Sequence, residues 1–123
     1  MSIDFSINGR EFVAYDTARG LVVGSTVDNR LRTLVPRSGL EDATGNPIWA
    51  EDRRSVLIAF QHQGESQIRE IPVAGGNPRE LVRFDGPVQR SGKGIMVERA
   101  GQLYFTLGEN ESDLWVVELE GTR

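Results

Sequence analysis

Leu21-Val22-Val23-Gly24-Ser25-Thr26 returns twice in altered form: as Ile68-Arg69-Glu70-Ile71-Pro72-Val73 and as Leu114-Trp115-Val116-Val117-Glu118-Leu119. The steps between the three are about 47 and about 46 residues, a spacing typical of repeat architectures. Each run follows another apolar run and a polar turn. The flanking residues keep the same phase: Arg79-Glu80-Leu81-Val82 echoes Arg32-Thr33-Leu34-Val35. The apolar runs are short, rich in β-branched residues and bounded by Gly, Pro, Asn and Asp. That pattern favours strands, and no stretch has a helical period.

A unit of four short strands at this spacing matches a β-propeller blade of about 40–45 residues. The expected fold is therefore all-β, one domain over residues 1–123 made of three four-stranded blades. Blade 1 covers about 1–38, blade 2 about 46–86 and blade 3 about 92–123. In the first unit the strands are read at Ile3–Ser6, Glu11–Tyr15, Leu21–Val27 and Leu31–Val35. Asn8-Gly9 makes a tight hairpin turn, and Pro36 ends the last strand because it fixes φ and lacks a donor. The second unit reads Pro47–Ala50, Val56–Phe60, Ile68–Val73 and Arg79–Val82, with Gln61–Gln67 as a loop and Gly75-Gly76-Asn77-Pro78 as a turn. The third reads Gly94–Val97, Leu103–Thr106 and Leu114–Leu119. Its fourth strand would begin near position 126, so blade 3 lacks its outer strand.

Composition narrows the function. The chain has one His and no Cys, which removes most metal-site and nucleophile chemistry. A net charge of −4 argues against a nucleic-acid footprint, which needs a basic face. Arg far outnumbers Lys, and the arginines are interleaved with acids. This favours protein–protein contacts or ion pairs between blades. No apolar run reaches the length of a membrane helix, and Met1–Phe5 has no signal-peptide pattern. The chain reads as cytoplasmic as written, and as periplasmic if cut from an exported parent.

Two segments carry a familiar signature. Asp4-Phe5-Ser6-Ile7-Asn8-Gly9-Arg10 with Val13-Ala14-Tyr15, and Pro47-Ile48-Trp49-Ala50-Glu51-Asp52-Arg53-Arg54 with Ile58-Ala59-Phe60, resemble TolB-like (WD-repeat-like) propeller repeats. Val73–Leu81 is similar to that family's turn into the outer strand, while Ile7 and Glu51 stand where the signature has Pro. The resemblance implies a bacterial partner-binding scaffold or gate. It also leaves open an accessory propeller, or a C-terminal fragment, of a larger enzyme such as a peptidase, kinase or lyase.

Chemistry-bearing motifs are sparse. His62, in Gln61-His62-Gln63, reads as a surface residue without companion ligands. No Gly-x-Ser-x-Gly elbow, calcium loop or phosphate loop is present. Glu41-Asp42, Glu51-Asp52, Glu109 and Glu111 read as solvated turn charges. No catalytic, cofactor-binding or metal residue is assigned, and no cofactor is expected. The residues assigned to blade packing or an interface are Phe5, Trp49, Met96, Leu114, Trp115 and Val117.

The assembly argument follows. Three stacked sheets leave an apolar face at each end, whereas a propeller needs at least four blades to close. Exposed apolar faces of that size are avoided by monomers. The expected partner is a second copy, giving a six-bladed ring, or the missing blades of a longer propeller. A protein or peptide ligand would bind the completed surface.

Overall fold

The computed structural model describes residues 3–85, 96–106 and 114–118, and for Gly45, Phe84, Met96–Glu98, Phe105, Thr106, Leu114, Trp115 and Val117 it describes the backbone alone. The chain is all-β. Its strands are β1 (Ile3–Phe5), β2 (Glu11–Asp16), β3 (Gly20–Ser25), β4 (Leu31–Pro36), β5 (Ala43–Trp49), β6 (Ser55–His62), β7 (Glu65–Pro72), β8 (Arg79–Asp85), β9 (Met96–Arg99), β10 (Gln102–Thr106) and β11 (Leu114–Glu118). One 3₁₀ turn, Arg37–Gly39, follows β4. Among the described residues no helix is long and apolar enough to cross a membrane.

The strands form three antiparallel meanders, β1-β2-β3-β4, β5-β6-β7-β8 and β9-β10-β11. Their boundaries follow turn chemistry. At the β1–β2 turn the Asn8 side chain accepts the Arg10 N–H at 3.1 Å. At the β5–β6 turn Asp52 accepts the Arg54 N–H at 2.9 Å. Gly9 and Arg53 take the left-handed φ that these Asx turns require, +71° and +64°. The same backbone bonds recur around both turns: Ser6 N–H to Glu11 O in the first, Ala50 N–H to Ser55 O in the second.

The repeat extends into an irregularity. The β3–β4 ladder shifts register between Leu21 and Val22, with Leu34 the unpaired residue on β4. The β7–β8 ladder shifts between Ile68 and Arg69, with Leu81 the unpaired residue on β8. These two leucines hold the same place in the echoed quartets of the sequence. A bulge adds local twist and re-aims a strand.

The middle sheet is covered on both faces. Trp49, Val56, Ile58, Phe60 and Ile71 pack against Val13, Leu21 and Val23 of the first sheet. On its reverse, Leu57, Ala59 and Ile68 meet Leu103 of the third. This explains why β6 is the most hydrophobic run in the chain, with Ser55 to Phe60 all buried.

Several expectations about boundaries change. β5 begins at Ala43, ahead of the expected Pro47, and Leu40 is buried at 4% exposure, so the stretch between the first two units lies partly in the core and partly in the sheet. The seven-residue loop expected at Gln61–Gln67 shrinks to Gln63-Gly64, because β6 and β7 continue pairing out to His62 opposite Glu65. β9 is described from Met96 to Arg99, and the expected start at Gly94 lies outside the described residues. The third sheet is described with three strands, and residues beyond Glu118 lie outside the described ones.

Candidate functional site

Where the first two sheets meet, the joint is polar as well as apolar. Trp49 donates its backbone N–H to the Asp4 carboxylate at 2.9 Å and its indole Nε1–H to the Asp4 carbonyl at 3.2 Å. The indole is 4% exposed, so both donors need protein acceptors, and Asp4 on β1 supplies them. Arg53 reaches back across the joint to Glu11 at 3.4 Å, and Arg32 donates from the first sheet to the Val73 carbonyl of the second. At the joint with the third sheet Arg99 lies 3.9 Å from Glu51, and the Ala100 N–H donates to the same carboxylate.

Phe5 holds the same ladder place in the first sheet that Trp49 holds in the second: Phe5 lies opposite Phe12, and Trp49 opposite Val56. The equivalence gives Phe5 and Trp49 opposite environments. The face of the middle sheet that carries Trp49 is covered by the first sheet. The matching face of the first sheet carries Ile3, Phe5, Phe12, Ala14, Val22, Gly24 and Leu31; Ala14 and Val22 at its centre are buried, whereas the residues on its two edge strands are exposed. Phe5 is 57% exposed, Ile3 54% and Leu31 40%. Gly24 belongs to this surface for a steric reason. A Cβ there would fall 2.5 Å from the Phe12 ring, which lies across the glycine. At the far end of the stack Val116 is 47% exposed on the third sheet, in register with the half-buried Tyr104.

Of the residues assigned to packing from the sequence, Trp49 lies buried between two sheets, and Phe5 lies exposed on the edge strand of the first sheet. Met96 and Trp115 are both in register with Phe105, Leu114 with Thr106 and Val117 with Leu103; their side chains lie outside the described ones. His62 sits at the end of β6 with its side chain 68% exposed, and its Nδ1 lies 3.0 Å from Asp42 Oδ2. That pair joins residues from either side of the β5–β6 connection, and only the tertiary fold brings them together. Among the described residues no group of three or more His, Asp or Glu side chains is placed to hold a metal ion.

The acids and arginines interleaved in the sequence form ion pairs within the second sheet, Arg79 with Glu70 at 3.0 Å and Arg83 with Glu65 at 2.6 Å. Hydrogen bonding to Glu80, and then the nearby charges of Glu65 and Glu80, hold the Arg83 pKa above its ordinary value. Compared with known proteins, the chain matches no protein-family model and no curated sequence.

Proposed function

We propose that this chain is a non-catalytic interaction module of the β-propeller type, similar to TolB-like repeats, whose first sheet is covered in solution by a sheet from a second copy. The observation that carries this reading is the internal equivalence of Phe5 and Trp49. In the second unit that ladder position is sealed by a neighbouring sheet, which also supplies hydrogen-bond acceptors. In the first unit the same position is exposed, and so are Ile3 and Leu31 on the edge strands of that face. A face built to the same pattern takes the same kind of cover, and the open end of the third sheet is available on a partner chain. Two head-to-tail joints related by a two-fold axis would close six sheets into a ring.

Static light scattering of the purified chain tests this. The expected mass is twice that of the chain, and Phe5→Asp, which places a charge at the exposed edge of that face, yields monomer. A wild-type chain that is monomeric at micromolar concentration and unfolds cooperatively would end the proposal.

A further inference from the structure

The second unit departs from the first at one end, and its departures converge. The β6–β7 hairpin continues to His62 opposite Glu65, whereas β2–β3 stops at Asp16 opposite Gly20. The extra length, with the 3₁₀ turn and the residues after it, walls an open groove of about 560 Å³ at the edge of the joint between the first two sheets. Arg69 is the second departure. In the repeat it takes the place of Val22: Val22 pairs with Ala14 and Thr33, and Arg69 with Ile58 and Glu80. A position that is apolar and 3% exposed in the first unit carries an arginine in the second.

That arginine is held and left uncompensated. Its guanidinium carbon lies 4.3 Å from the Phe60 ring centre, a stacking distance, and its Nε–H donates to Gln67 Oε1 at 2.9 Å. The two contacts hold the guanidinium through its ring face and its Nε–H, and neither uses a terminal nitrogen as a hydrogen-bond donor. Every other described arginine is exposed, whereas Arg69 is half-buried. Among the described residues no carboxylate lies within ion-pair distance of it. Glu80 is opposite it in the ladder but accepts from Arg83 instead, at 2.9 Å from Nε and 2.6 Å from Nη2. Glu65 is likewise taken by Arg83, and Asp42 is engaged by His62.

We infer that the groove over Phe60 captures a carboxylate carried by a peptide, with Arg69 as its anchor. A planar, pre-oriented fork fits a carboxylate through two parallel N–H···O bonds. The acids around the groove disfavour a doubly charged phosphate more than a singly charged carboxylate. The groove is roomy enough for a few residues of extended chain. The inference deepens the interaction-module reading in naming what is bound, yet it fails separately: Phe5→Asp alters the self-association face and leaves the groove intact.

The test is a titration followed through the ¹H–¹⁵N side-chain Nε–Hε signal of Arg69. The probes are acetyl-trialanine with a free C-terminal carboxylate, its C-terminal amide, acetyl-Ala-Asp-Ala amide, and inorganic phosphate. Saturable shifts with either carboxylate peptide, absent with the trialanine amide, are expected. Calorimetry should show Arg69→Gln weakening binding by about tenfold or more, the loss of a charge-assisted pair. Which carboxylate peptide binds tells a chain terminus from an acidic side chain. Arg69→Lys keeps the charge without the fork, and a several-fold loss there supports the inference even if Arg69→Gln fails to fold. Equal response to acid and amide, response to phosphate alone, no response at all, or binding unchanged in Arg69→Lys would each overturn it.

Discussion

Asp4 is the residue on which the first joint turns. It is half-buried on a three-residue strand, and it accepts two hydrogen bonds from one tryptophan, one through its side chain and one through its backbone. Asp4→Ala removes the acceptor for the buried Trp49 N–H and keeps the carbonyl for the indole. The expected loss is about 1–3 kcal/mol, the cost of leaving a buried donor unsatisfied, measured by urea unfolding. Asp16 makes a separate prediction. It accepts the Ala18 and Arg19 N–H groups at 2.7 and 3.1 Å, and those bonds hold its pKa below the ordinary value. The depressed value means that the carboxylate favours folding above its unfolded pKa. That contribution is lost as the pH falls through the folded one. Melting temperature followed from pH 5 downward should therefore fall less steeply in Asp16→Asn than in wild type. Identical slopes would remove Asp16 from the acid response.

Turns show most clearly where local chemistry and strand length disagree. The sequence marks Asn8-Gly9 and Gly75-Gly76 as turns, and all three glycines there have positive φ. It does not mark Gln63-Gly64, because the residues around it are polar on both sides and read as loop. In the fold those polar residues alternate along β6 and β7: Ser66 and Ile68 face one way and are buried, while Gln67 and Arg69 face the groove. A half-polar strand at a groove has no hydrophobic run to announce it. Gln63 and Gly64 both take left-handed φ, +52° and +81°, a two-residue hairpin turn. Asn suits the first of these positions better than Gln, so Gln63→Asn should raise stability by a few tenths of a kcal/mol, up to about 1. Gly20→Ala should do the reverse at the start of β3. Its φ is +106°, and a Cβ would fall 2.3 Å from the Val35 carbonyl oxygen, so a loss well above about 1 kcal/mol is expected in thermal or urea unfolding.

Taken together, the three sheets form a stack in which the middle one has neighbours on both sides. Backbone amides of β6 and β7 should exchange most slowly, since opening them exposes two apolar joints rather than one. Among the described residues of the third sheet, Leu103 is the fully buried side chain that joins it to Leu57, Ala59 and Ile68. Leu103→Ala should cost about 2–5 kcal/mol and speed exchange in β9–β11 more than in β1–β4. Equal acceleration everywhere would mean that the stack opens as one unit.

The strand count per unit, the turn positions set by Asn8, Asp52 and the glycines, and the phase of the repeat down to the bulged leucines 34 and 81 were all present in the linear pattern. They depend on local backbone geometry and on the alternation of apolar side chains. The sequence could not show that Phe5 and Trp49, equal in pattern, differ in burial, because burial depends on which sheet lies opposite. Nor could it show that Arg69 stands in an apolar place of the repeat, stacked on Phe60, while the acids nearest in sequence and ladder pair elsewhere. Those outcomes were decided by packing between sheets, where contacts join residues some 40 to 50 positions apart.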